Sequence, residues 1–179
     1  MKTVLFVLRL ALTLLAITAV VAVALAGVNM ITAPAIAELN AQNTQAAIEA
    51  VLPGGGEELA SFPAVNLVSK VYASDAGYAV QVTPGGFDNT ITMMVGVDKS
   101  GNVLGIDVIS HSETAGLGAV ADAETPAGIA FREQFKGVTG SVSVTKDGGQ
   151  MDAITGATIT SRAICAGVNA ALECAAQMG

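Results

Sequence analysis

Hydrophobic and polar positions follow three different rhythms along this chain. After Lys2 and Arg9 no charged residue occurs until Glu38, and Leu10 to Met30 supplies the roughly 20 apolar residues that carry a helix across a bilayer. Pro34 discourages further helix, so the first element is expected to close there. Ala35 to Leu52 then spaces Ala, Leu and Ile as a second, stalk helix does, and Pro53-Gly54-Gly55-Gly56 stops it.

From Ala64 the period shortens to two. AVNLVSKVYA, YAVQVT, TITMMVGVD and VLGIDVISHSE read as strands, separated by turn residues at Ser74–Gly77, Pro84–Gly86 and Asp98–Asn102. Short strands joined by tight turns predict a mostly antiparallel sheet. Thr125 to Lys136 reads as a short helix, Ser141 to Thr145 as another strand closed by Lys146-Asp147-Gly148-Gly149, and Thr160 to Gln177 as a last helix with Ala and Gly on several faces. The expected fold class is α+β, one N-terminal transmembrane helix followed by a mostly antiparallel-sheet domain. Its expected divisions are a cytoplasmic tip and anchor over 1–34, a stalk helix and linker over 35–56, and an extracytoplasmic domain over 57–179.

Composition sharpens this picture. A chain of 179 residues has room for one anchor and one modest core, and with 52% apolar but 4% aromatic residues and no Trp, Ala, Val, Ile and Leu must do the packing. Two readings of the N-terminus compete, because Ala24-Leu25-Ala26 resembles a cleavage site and a basic start before an apolar stretch also describes a secretory signal. The apolar run continues past that site, which favours a retained anchor. Lys2 and Arg9 favour a cytoplasmic N-terminus and hence an outer C-terminal domain in the cell membrane. All 15 acidic residues lie from Glu38 onward, against Lys70, Lys99, Arg132, Lys136, Lys146 and Arg162. Such a surface argues against a nucleic-acid partner.

Candidate chemistry is sparse. The Pro53–Gly56 glycines lack the GK[ST] of a phosphate-cradling loop, and one His with no CxxC supports neither a zinc site nor a haem attachment. Cys165 and Cys174 fall on opposite faces of one helix, too far apart to pair; they read as buried small side chains, with an interface or redox role as the alternative. Asp152 to Leu172, DAITGATITSRAICAGVNAAL, places four hydroxyls, Thr155, Thr158, Thr160 and Ser161, around a turn with no base beside them. Hydroxyl nucleophiles need such a base, and nothing in the sequence ties His111 to this turn. Hydroxyls before a helix hold phosphate well, with free N–H groups and the helix dipole at hand and Arg162 one helical turn beyond Thr158. The plainer alternative is that Thr160 or Ser161 only caps the helix and Gly156 only makes the turn.

Asp152-Ala153-Ile154-Thr155-Gly156-Ala157-Thr158 resembles the flavinylation motif of the FMN-binding domain family. In that family a separate flavin transferase uses FAD to attach FMN by a phosphoester to the last Thr of the motif. The resemblance therefore implies covalent FMN on Thr158, with Thr155, Gly156 and Ala157 beside it, Arg162 as counter-charge, and Asp152 either read by the transferase or shaping the turn. His111-Ser112-Glu113-Thr114-Ala115-Gly116-Leu117-Gly118 is similar to the family's Glu-Thr-Pro-Gly-Leu-Gly loop, with Ala115 in the place of Pro. That likeness implies Glu113, Thr114, Gly116, Leu117 and Gly118 beside the flavin, Leu117 covering a ring face and Thr114 offering a hydrogen bond. Phe131 to Gly137 resembles a further family segment, its aromatics read as core and Lys136 as solvated; Ile31–Ile36 and Val51–Pro53 fit the same subunits.

Within the family, the compact anchored chain resembles the FMN-bearing subunits of the Rnf complex, a membrane ferredoxin:NAD+ oxidoreductase that couples electron transfer to Na+ or H+ movement. The corresponding subunit of the Na+-translocating NADH:quinone oxidoreductase shares motif and topology but is typically longer. The resemblance implies an electron carrier without catalytic residues of its own, with other Rnf subunits and a flavin transferase as partners. Two other classes stay open: a stand-alone anchored flavoprotein, and a binding module in which the motif merely caps a helix.

Overall fold

The computed structural model describes the backbone of residues 2–179 and side chains from Phe6 onward. Two compact units, Met1–Gln42 and Asn43–Gly179, divide the chain.

The first element, α1, runs over Lys2–Val51 with Pro34 inside it. The expected stop at Pro34 does not occur. Proline forfeits one i→i−4 bond, and the surrounding Ala, Ile and Leu residues carry the helix through; such prolines are tolerated in membrane helices. The segments expected as anchor and stalk thus lie on one helix. Its apolar side chains from Phe6 to Leu39 are exposed all round, which is how a helix presents itself to lipid rather than to a protein core.

Five strands follow in a meander, β1 (Glu57–Glu58), β2 (Val68–Ala73), β3 (Gly77–Val82), β4 (Thr92–Asp98) and β5 (Val103–Ser110), each antiparallel to the next. The sequence pattern marked β2 to β5 but not β1, and both faces of the sheet are covered, so β4 is buried almost throughout. Val71, Val80, Val82, Met93, Val95, Val97 and Val108 face the helix α3 (Thr158–Met178) through Ile164, Val168, Ala171 and Cys174. Tyr72, Ala79 and Met94 face the end of α1 through Ala47, Ile48, Val51 and Leu52. A Cβ at Gly96 of β4 would run into the Val51 backbone, so a glycine there lets the helix end lie directly on the sheet. β2 begins later than expected because Leu67 sits in the left-handed region, at φ 72°.

Helix α2 (Pro126–Glu133) is capped by the Thr125 hydroxyl, which accepts from the Gly128 N–H at 3.3 Å. Phe131 and Phe135 meet edge to face beneath it, centroids 5.5 Å apart. Ser141 to Thr145, expected as a strand, forms only an isolated Val144–Met151 bridge before a 3-10 turn at Thr145–Asp147. A side chain takes the place of a partner strand. Asn169 of α3 accepts from the Val142 N–H at 2.8 Å and donates to its carbonyl at 2.9 Å. Helix α3 starts at Thr158, two residues before the sequence reading put it.

Candidate functional site

Three loops meet the first turn of α3. They are the β3–β4 loop with Gly86 and Phe87, the segment after β5 from His111 to Gly118, and the turn from Asp152 to Ala157. The link between them is Glu113, only 9% exposed. One carboxylate oxygen accepts from the Phe87 N–H at 2.8 Å, and the other from the Thr160 hydroxyl at 2.5 Å. A Cβ at Gly86 or at Gly118 would collide with this carboxylate, so both glycines are required for the approach. His111 Nδ1 accepts from the Glu113 N–H at 3.2 Å, which fixes the loop from behind.

The turn before α3 needs glycine for another reason. Gly156 has φ 78°, and Leu117 packs against it. No side chain caps α3, so its first amides face outward with the positive end of the helix dipole. Ser161 is spent internally, accepting from the Ile154 N–H and donating to the Ala157 carbonyl, both at 3.0 Å. Thr160 is spent on Glu113. Neither caps the helix, and of the hydroxyls in the first turn of α3 the half-buried Thr158 is the one left at the cleft.

These groups enclose a cleft of about 230 Å³ lined by Glu113, Thr114, Leu117, Gly118, Gly156 to Thr160 and Phe87. Beyond residue 42 the exposed large hydrophobics among the described residues are Phe87 (66%), Leu117 (43%), Ile129 and Ile159 (49%), and all but Ile129 rim this cleft. Apolar walls with a helix N-terminus at one end suit a flat ring joined to a phosphate.

The structure divides the residues singled out in the sequence. Glu113, Thr114, Leu117, Gly118, Gly156, Ala157 and Thr158 line the cleft. Asp152, Thr155 and Gly116 instead line a neighbouring groove of about 550 Å³ against α2. There Gln134 clamps Asp152 through its backbone, accepting from the N–H at 2.7 Å and donating to the carbonyl at 3.3 Å. Arg162 is committed elsewhere. Its Nε and Nη2 each donate to Asp147 at 2.6 Å, and this hydrogen-bonded pair holds the Asp147 carboxyl below the usual carboxylate range. The cation at Thr158 is Lys146, whose Nζ donates to Oγ1 at 3.1 Å. The sequence reading gave no site role to Phe87, Ile159 or Lys146; Lys146 lies 12 residues from Thr158, across a turn whose shape the sequence did not reveal.

A cleft with apolar walls, an uncapped helix N-terminus and a hydroxyl in contact with an ammonium suits the class of proteins that bind a ring-and-phosphate cofactor. The comparisons give that class its identity: an FMN-binding domain matches residues 86–173. The G subunit of the Na+-translocating ferredoxin:NAD+ oxidoreductase complex of Acetobacterium woodii is 32% identical over 191 residues, covering 93% of this chain and 90% of that protein. The G subunit of the ion-translocating oxidoreductase complex of Yersinia pestis is 46% identical over 102 residues, 52% of this chain, and that of Vibrio vulnificus 41% identical over 95 residues, 51% of this chain. The chain spans about half the length of these last two relatives, 47% and 45%. The chain belongs to the family of G subunits of Rnf-type ion-translocating ferredoxin:NAD+ oxidoreductase complexes.

Proposed function

We propose that this protein is the electron-relay subunit of a membrane ferredoxin:NAD+ oxidoreductase complex that moves an ion, and that it works through FMN esterified to Thr158. The observation that carries the reading is the Thr158 hydroxyl, presented at the uncapped start of α3 with an ammonium as its partner and no base beside it. A hydroxyl so placed is an acceptor for a group that another enzyme activates. In the attachment, Thr158 Oγ1 bonds to the phosphorus of the FMN half of FAD, the bond to the AMP half breaks, AMP leaves, and the hydroxyl proton passes to a base of the flavin transferase.

FMN supplies the one- and two-electron chemistry once bound. The chain's own part is placement. Leu117 and Phe87 offer apolar cover for the ring, and Thr114 and Glu113 a polar edge. Asp152, exposed on the groove beside α2, is the residue that the transferase reads. A tether keeps the carrier from losing its cofactor to dilution outside the cell.

The anchor, over 1–34, holds the N-terminus in the cytoplasm in a single pass; 35–56 is the stalk, and 57–179 is the extracytoplasmic carrier, docked among the other subunits. Peptide mapping of the protein made with a flavin transferase tests the attachment. The flavin mass is expected on the peptide containing Thr158, and Thr158→Val is expected to fold without it; flavin retained by denatured Thr158→Val contradicts the reading.

A further inference from the structure

We infer that Lys146 holds the phosphate of the flavin ester at Thr158, and that the Asp147–Arg162 ion pair is the latch that keeps it there. The inference rests on Thr158 being the attachment site.

Lys146 and Asp147 lie side by side on a turn that its own backbone fixes. The Thr145 N–H donates to the Met151 carbonyl at 2.8 Å, the Asp147 N–H to the Val144 carbonyl at 2.8 Å, and the Gly148 and Gly149 N–H groups close the turn at 3.1 Å each. Their two partners, Thr158 and Arg162, are four residues apart on α3, so they lie one turn apart along one stripe. The contact is a ladder of two rungs. One is the ammonium on the Thr158 hydroxyl, and the other the bidentate ion pair of Asp147 with Arg162.

The rungs differ in charge. Arg162 is matched by Asp147 and offers no net charge to a further anion. Lys146 forms no ion pair with a carboxylate among the described residues. It is an exposed cation on an acidic domain, outside any ion pair of its own, in hydrogen-bond contact with the oxygen that becomes esterified. Esterification removes the hydroxyl proton and turns Oγ1 into a bridging oxygen, a poor acceptor. The charge then rests on the non-bridging oxygens of a phosphodiester monoanion, which one ammonium beside Oγ1 balances. Lys146 thus changes partner from hydroxyl to phosphate across a small distance, while Asp147 and Arg162 hold its turn in place.

The test uses the full chain in detergent, flavinylated by co-expression with a transferase, and reads the phosphorus-31 resonance of the ester. Lys146 is exposed, so Lys146→Met leaves no buried group unpaired. The inference expects the resonance to move in Lys146→Met, to return toward its wild-type position in Lys146→Arg, and to move less in Arg162→Gln, where only the latch is loosened. Incorporation lost in Lys146→Met and restored in Lys146→Arg supports it equally. A flavinylated Lys146→Met with the wild-type resonance overturns it while leaving the Thr158 attachment standing. A larger shift in Arg162→Gln than in Lys146→Met also overturns it, by making Arg162 the phosphate ligand. A wild-type chain that takes up no flavin overturns both this inference and the reading beneath it.

Discussion

Gly118 owes its identity to a carboxylate a few positions back in the chain. A methyl group there would press on Glu113 and on the Thr160 hydroxyl, in a corner with no free volume. Gly118→Ala should therefore cost about 1–3 kcal/mol, the usual penalty of overpacking, read from urea or thermal unfolding; an unchanged midpoint would mean that Glu113 swings aside freely. Burial acts differently on the thiols. Both cysteines are buried and free, and burial pushes the Cys165 thiol up to about 11. Because the folded value is raised, this thiol contributes stability in full below its unfolded value of about 8.5, and that contribution is lost as pH rises from there toward 11. Alkylation at neutral pH should leave Cys165 unmodified in the native protein and modify it on unfolding, which mass spectrometry will show.

At the scale of elements, single side chains replace regular pairing. Asn169→Ala removes both bonds that hold the Val142 backbone. The expected loss is about 1–3 kcal/mol, with faster hydrogen exchange at Val142. The Asp147–Arg162 latch is a carboxylate device, so its sign under acid follows from the lowered folded value of Asp147. Its contribution is present above the unfolded carboxylate value of about 4 and is lost as pH falls through the lower folded one. Exchange protection in the Thr145–Asp147 turn should be unchanged at pH 5 and fall only in stronger acid, below about pH 4, by the small amount that an exposed ion pair adds to the turn's own backbone bonds.

The sheet and α3 were legible because their signals are local. Strand alternation and the turn residues between strands lie within a few positions of each other. Three features could not be read that way, two of them because they depend on partners far along the chain. Ser141 to Thr145 carries a strand's pattern, yet its partner is Asn169, 27 residues on. Glu113 and Thr160 stand 47 residues apart, and their contact makes the cleft wall. The motif at Asp152–Thr158 reads as one unit, but the chain turns at Gly156, so its first half faces the α2 groove and its end the cleft. Pro34 failed in the opposite direction: a strong local signal for a break is outweighed by the helix on either side of it.

At the scale of the whole molecule, α1 carries two kinds of surface along one helix. Apolar side chains up to Leu39 are exposed, while Ala47, Ile48 and Val51 are buried under the sheet. A retained anchor predicts that membrane-extracted protein begins at its N-terminal residues, whereas a mature start at Gly27 on N-terminal sequencing would mark the segment as a cleaved signal. The central claim concerns the other end of the molecule, and flavin fluorescence of the denatured band on a gel tests it most directly, after expression with and without a flavin transferase. The account predicts a fluorescent band only with the transferase, lost in Thr158→Val; a dark band in both lanes, with the protein intact and exported, would contradict it.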